Sequence, residues 1–286
     1  MQHAIEKAEV LIEALPYIRK FAGSTVVVKY GGSAMIDEHM KESVIQDIVL
    51  MKRIGFNPVV VHGGGNAISD QLKKVGKESK FISGLRITDQ ETAQIAEMVL
   101  SGSIGKALVQ ALQNHGIQAV SINGKDGDTL VSRKKISSGI DLGFVGEVVK
   151  VNTELLTSLM KNDFVPVVAP VGTDAQGNTY NINADYAASA IAGALKAQKL
   201  VFLTDVEGIL MDKDNPDSII RRLSVTQAED FISDGTIAGG MIPKAKCCMD
   251  GINQGVESVH ILDGRLPHSL LLEIFTNDGC GTMMTR

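Results

Sequence analysis

Apolar residues recur along this chain with two periods. Near the N-terminus, Ile5, Ala8, Leu11, Ile12, Leu15 and Ile18 keep the 3.6-residue rhythm of a helix over residues 3–21. Pro16 falls inside that rhythm and predicts a kink or break near residue 15, because proline lacks an N–H and its ring meets the carbonyl four residues back. The helix packs either on the edge of its own domain or against another subunit, and the pattern alone favours the first. Beyond it, uninterrupted Val/Ile/Leu runs at 25–30, 58–62, 117–122, 164–169, 200–204 and 258–262 read as strands buried on both faces. Between them, helical patterns occupy 37–54, 65–75, 89–114, 153–161, 184–197, 224–234 and 241–254. Strand followed by helix, repeated, predicts an α/β fold with a mostly parallel sheet covered by helices on both sides.

Two stretches depart from the alternation. Residues 129–150 hold two alternating segments around a glycine-containing turn, a hairpin beside the main sheet. Residues 205–222 are polar and turn-rich and read as a loop after a strand. A soft boundary lies near residue 196. The length of 286 residues suits one large α/β domain or two joined lobes.

Composition narrows the function by exclusion. A net charge of −5 gives no basic footprint for nucleic acid, and the absence of Trp with 4% aromatics removes the stacking platform that single strands need. Cys247, Cys248 and Cys280 form no CxxC pair, so neither a disulfide framework nor a zinc site is signalled, and a cytoplasmic home is expected. The first twenty residues lack the basic start and continuous apolar core of a signal peptide. No apolar run approaches the roughly 18 residues of a membrane span, so no membrane is expected among the partners.

In a parallel sheet, ligands bind beyond the carboxyl ends of the strands. There the chain places Lys29 with Gly31 and Gly32, and then His62 with Gly63, Gly64 and Gly65 before a helix. Glycine turns let backbone N–H groups approach an anion, and a helix start adds partial positive charge. His62, alone at a strand end, reads as a hydrogen-bonded structural residue. Asn181, Asn183 and Asp185 precede a helix of small residues; Asp185 suits either a helix cap or a partner for a lysine or metal. Thr204, Asp205 and Gly208 follow another strand, and Gly239, Gly240 and Lys244 open a further helix. The Walker G-x-x-x-x-G-K-[ST] motif, the dinucleotide G-x-G-x-x-G, HExxH and GxSxG are all missing.

VVVKYGGSAM, VVVHGGGNAIS, GLRITD, NINADYAA, LTDVEGIL, GGMIPK and EIFTNDGCGT occur in that order. With these seven motifs the chain, from residue 25 to 286, resembles the amino acid kinase family, and within it the branch acting on N-acetyl-L-glutamate. The resemblance implies a three-layer αβα sandwich around an open, mainly parallel eight-stranded sheet. It divides the chain into an oligomerisation arm (1–22), an acetylglutamate-binding and dimerising lobe (23–195) and an ATP-binding lobe with an arginine-site segment (196–286). Lys29 and Lys244 match the lysines that neutralise the transferring phosphoryl group, and Asp185 the carboxylate that orients them. Gly31, Gly32 and Gly64 match phosphate-binding backbone donors. Gly64, Gly65, Arg86 and Asn181 match acetylglutamate contacts, and Thr204, Asp205, Gly208 and Leu210 border the nucleotide.

The implied reaction uses ATP with Mg²⁺, needs no metal site built by the protein, and serves the second step of arginine biosynthesis. Its acceptor, a carboxylate with a pKa near ~4.3, is already ionised at neutral pH, so no general base is required. Arginine-inhibited members also have a kinked N-terminal helix that joins dimers into a hexamer. Glu273 and Gly281 match their arginine site, with Tyr17, Lys199 and His268 as neighbours. A PII-type nitrogen regulator is a further implied partner. Three alternatives stay open: a related kinase acting on aspartate, glutamate, carbamate or UMP; an arginine-sensing binding protein without catalysis; and a partner-binding scaffold.

Overall fold

Strands made of Val, Ile and Leu must be covered on both faces, and the fold meets that need with two helical layers. The structure, a computed structural model, describes residues 2–35, 37–137, 139–212, 214–276 and 279–286. Asn277 and Asp278 of the C-terminal motif lie outside the described residues, as do the side chains of Ala8 and Leu11 in the N-terminal rhythm.

In chain order the first elements are α1 (Gln2–Phe21), β1 (Thr25–Tyr30), α2 (Glu38–Arg53), β2 (Asn57–His62), α3 (Gly65–Lys74), β3 (Phe81–Ile82) and β4 (Leu85–Arg86). Then come α4 (Gln90–Glu97), a π-helical stretch (Met98–Ile104), α5 (Gly105–Asn114), β5 (Ala119–Asn123), β6 (Leu130–Ser137) and β7 (Ile140–Val151). They are followed by α6 (Glu154–Lys161), β8 (Val165–Ala169), β9 (Val171–Thr173), β10 (Thr179–Ile182), α7 (Ala184–Leu195) and β11 (Lys199–Thr204). The last are β12 (Arg222–Ser224), α8 (Val225–Ser233), α9 (Met241–Asn253), β13 (Ser258–Asp263), α10 (Ser269–Phe275) and β14 (Thr282–Thr285).

One eight-stranded sheet runs in the order β12-β14-β13-β11-β1-β2-β8-β5. Its pairs are parallel except β13 with β14. Alternation sorts each strand between two cores: Val27, Val59, Val61 and Phe202 pack with α7 and α9, while Val26, Val28, Tyr30 and Val60 pack with α2, α5 and α10. Cys247 and Cys248 fill space in the first core. The expected hairpin at 129–150 is β6 and β7, which join β9 and β10 in a small closed barrel. Helix, π stretch and helix together form a 25-residue rod, Gln90–Asn114, long and apolar enough to cross a membrane by length and composition. Here Ile95, Leu100, Leu108 and Leu112 are buried in the protein itself.

The helix at the N-terminus does not break at Pro16, but continues to Phe21. Proline removes one helical hydrogen bond. The last turn is held by Ala22 N–H donating to Ile18 O at 2.9 Å, and by Tyr17 and Phe21 packing against Phe275 and Phe56.

Helices α2 and α10 are joined by a buried carboxylate. Asp47 of α2 is 1% exposed, and its Oδ1 lies 2.6 Å from His268 Nδ1. Burial pushes its carboxyl up to about 6; the His268 contact and the Leu270 and Leu271 N–H groups oppose that only in part, and Oδ2 has no hydrogen bond. A carboxyl with a raised folded-state pKa lets the folded state bind its proton more tightly. The cost of ionising it is therefore absent below the unfolded pKa and grows as pH rises through 6. Asp47→Asn should gain stability relative to the parent chain between pH 4 and pH 8, by about 3 kcal/mol at the top of that window. Urea unfolding at several pH values checks this; a pH-independent difference between the two proteins would refute it.

Candidate functional site

The carboxyl ends of β1, β2 and β11 stand side by side, so the turns that follow them converge. Gly63 N–H donates to Tyr30 O at 2.8 Å, which ties the turn after β2 to the turn after β1. Gly32 has φ +75°, and a Cβ there would collide with the Asp205 carboxylate at the end of β11. Glycine is required at that point by both conformation and space. At Gly31 a Cβ would meet Lys29 Nζ at 2.6 Å, so the missing side chain makes room for the lysine to fold back over the turn.

Asp185 stands in the middle. Asn183, not Asp185, caps α7: its Oδ1 accepts from Asp185 N at 2.8 Å and Tyr186 N at 3.4 Å. The Asp185 carboxylate is thereby free to take two cations. Lys244 Nζ, from the first turns of α9, donates to Oδ2 at 2.9 Å. Lys29 Nζ lies 2.9 Å from Oδ1 as an ion pair, off the direction of a hydrogen bond. Burial by itself would raise the Asp185 carboxyl; the Lys29 and Lys244 charges outweigh it and hold the group below its ordinary range. Two ammonium groups on one carboxylate leave an excess positive charge at the strand ends, suited to an anion.

On one side of this bridge is a cavity of about 180 Å³ whose lining includes Gly63, Gly64, Gly65, Arg86, Asn181 and Asn183. Arg86 Nη2 donates to Gly65 O at 2.8 Å and to Ser69 Oγ at 2.9 Å, and Nη1 donates to Ser79 Oγ. Its guanidinium carbon sits 4.6 Å from the Phe81 ring centroid. Asn181 Nδ2 reaches Thr88 Oγ1 at 3.5 Å, and Thr88 Oγ1 donates to Arg86 O at 2.8 Å. On the other side, Asp205, Gly208 and Leu210 line a cavity of about 620 Å³ with Met211, Pro216 and Met241; Thr204 sits one residue before it. A third cavity, of about 500 Å³, has Gly32, Gly64, Gly65 and Asp205 in its wall.

Of the residues expected at the second site, Lys199 and Glu273 are joined through His260, which sequence reasoning missed. His260 is buried and burial lowers its pKa, so the ring is neutral. Its Nδ1 lies 2.7 Å from Glu273 Oε1, and its Nε2 lies 3.0 Å from Lys199 Nζ and 2.9 Å from Ser258 Oγ. Burial would raise Glu273; His260 and the N–H groups of Cys280 and Gly281 outweigh it. Lys199 is pushed down to about 8, chiefly by burial. Tyr17 meets Phe275 edge-on at 6.4 Å between ring centroids. His268 turns away to Asp47 instead of joining this line. A polar residue between Val259 and Ile261 on a central strand was the one signal that marked His260. Ser69 and Ser79, which hold Arg86, carried no signal at all.

Known proteins show the same arrangement of elements. The chain is similar to the acetylglutamate kinase of Caldanaerobacter subterraneus subsp. tengcongensis, 55% identical over 98% of this chain and 93% of that protein. It is also similar to that of Methanocaldococcus jannaschii, 51% identical over 100% and 98%. Among solved structures, N-acetylglutamate synthase from Neisseria gonorrhoeae, complexed with coenzyme A and N-acetyl-glutamate, superposes with a TM-score of 0.86 at 27% identity. That match covers 98% of this chain, which spans 63% of the synthase chain. Carbamate kinase from Giardia lamblia bound to AMP-PNP shares the fold, with a TM-score of 0.67 at 20% identity over 93% of this chain and 99% of that one. Residues 24–263 match the model of the amino acid kinase family, and with relatives at half identity along its whole length the chain belongs to that family.

Proposed function

We propose that the chain transfers the γ-phosphoryl group of ATP to the side-chain carboxylate of N-acetyl-L-glutamate, a step of arginine biosynthesis. The observation that carries this reading is Asp185 held between Lys29 and Lys244, with one cavity on either side. The names of the half-identical relatives support the choice of acceptor. A carboxylate oxygen attacks the γ-phosphorus, the bond to the β–γ bridging oxygen breaks, and ADP leaves with that electron pair. No proton has to move, which agrees with a site built of cations and glycine turns.

The two lysines draw acceptor and phosphate together by neutralising their charges, and Asp185 fixes the distance between the lysines. Gly31, Gly32 and Gly64 offer N–H groups to the phosphates. Arg86 uses three N–H bonds inside the protein, which leaves two of its five for the α-carboxylate of the acceptor. Gly64, Gly65 and Asn181 complete that side, and Thr204, Asp205, Gly208 and Leu210 border the nucleotide. A Mg²⁺ carried by ATP would shield phosphate charge during the transfer.

We further propose arginine inhibition at the Lys199–His260–Glu273 line. It is supported by a buried carboxylate of the right sign for a guanidinium and by Tyr17 of α1 beside Phe275 of α10. Assembly into a hexamer through α1 is supported by Ile5, Ile12 and Leu15, which are 46%, 64% and 41% exposed. A cytoplasmic location is supported by three free cysteines.

Parallel assays with N-acetyl-L-glutamate, L-glutamate, L-aspartate, carbamate and UMP, trapping acyl phosphate with hydroxylamine, should give turnover with the first alone. Lys29→Ala and Lys244→Ala should each cost roughly a hundredfold or more in kcat. Turnover with another acceptor would discard the assignment of Arg86 and Asn181. Saturating L-arginine should lower activity in the parent chain and not in Glu273→Ala; no effect on the parent would remove the regulatory reading. Deleting residues 1–22 should reduce the assembly measured by light scattering, and an unchanged mass would free α1 of that role.

A further inference from the structure

His62 is fully buried at the end of β2 and is used by nothing in the reaction above. On its strand it shares a face with Val60, toward the core that also holds Tyr30, its register partner on β1. Its Nδ1 lies 2.9 Å from the carbonyl oxygen of the next residue, Gly63. A carbonyl only accepts, so Nδ1 carries the proton and Nε2 does not. Nε2 is buried without a partner. Burial pulls the ring down to about 4, so it stays a neutral donor across the neutral range.

That single hydrogen bond has a geometric consequence. In a planar trans peptide the C=O of one residue and the N–H of the next point in opposite directions. The Gly63–Gly64 bond is trans. A Gly63 carbonyl turned inward to the imidazole therefore aims the Gly64 N–H away from it. Gly63 is also pinned at its other end, by its N–H on Tyr30 O, and Gly64 O accepts from Ile68 N at 3.0 Å to start α3. Among the described residues no hydrogen bond uses the Gly64 N–H, and Gly64 lies in the wall of two cavities at once. Without the imidazole, a peptide between two glycines is free to rotate, because neither neighbour has a Cβ to oppose it.

We propose that His62 is a positioning residue: its Nδ1–H holds the Gly63 carbonyl and so fixes the Gly64 N–H toward the transferring phosphoryl group. This rests on the kinase reading for the identity of the anion, but not for the direction of the peptide.

The test compares three substitutions. His62→Asn keeps an N–H donor at the δ position, His62→Gln moves the donor one bond outward, and His62→Leu has none. Losing a preorganised donor falls on kcat rather than KM, so Gln and Leu should lower kcat about tenfold or more while each substrate's KM moves less than about threefold, and Asn should restore most of kcat. Ligand-free crystal structures give the second readout, with the Gly63–Gly64 peptide turned in the Gln and Leu variants and native in the Asn variant. Full kcat and a native peptide in His62→Gln, or a loss in His62→Asn equal to that in His62→Gln, would overturn the proposal. Those two polar variants decide it even where His62→Leu fails to fold. Turnover of a different acceptor by the parent enzyme would unseat the acetylglutamate assignment alone, and no turnover of any acceptor the kinase assignment alone, since the ligand-free peptide direction depends on neither.

Discussion

The fold is organised around one electrostatic constraint: a buried carboxylate has to hold two ammonium groups at the edge of a sheet. Asp185 cannot be ionised in that place without Lys29 and Lys244, and neither lysine would stay so enclosed without Asp185. To meet there, the three must come from three different elements. Lys29 rides on β1, Lys244 on α9 and Asp185 on α7, which lies across the central strands. Each neighbouring device frees one of them for this purpose. Asn183 takes over the helix cap, Gly31 clears space for the lysine stem, and Gly32 lets the first turn run close to Asp205, just beyond β11. Within the bridge itself, two cations against one anion leave an excess positive charge.

Much of this could be read from the residues. Six of the eight sheet strands are apolar runs, and the seven helices between them keep a clear period, so the parallel sheet and its two covers follow from patterning. The strands that escaped are β3, β4, β9, β10, β12 and β14, each two to four residues long. Such segments have too few positions to show a period, and α10, at seven residues, has the same difficulty. Lys29, Asp185 and Lys244 were legible because glycines and helix starts surround them. Arg86, by contrast, is an ordinary arginine in the sequence, and only folding brings it against Gly65, Ser69 and Ser79. Pro16 does not end its helix, for a physical reason: one lost hydrogen bond is outweighed when the turn beyond it packs on Phe56 and Phe275.

Histidine illustrates the limits of residue type as a signal. His62, His260 and His268 each contact a neighbour by Nδ1, yet they face a carbonyl, a glutamate and an aspartate respectively. Burial makes the first two neutral at physiological pH. What each ring does is set by the acceptor across from it, and that acceptor is supplied by tertiary structure.

The parallel ladder between β1 and β11, from Val26 opposite Lys199 to Lys29 opposite Phe202, lies at the middle of the sheet. It also divides what the sheet carries. The cavity with Arg86 takes its wall from the turns after β2 and β8 and from β10, all on the β2 side of the ladder, and the cavity with Leu210 takes its wall from segments that follow β11 and β13. Lys29 lies at the last rung between them, so the side chain that meets Asp185 belongs to the one strand that borders both halves of the sheet.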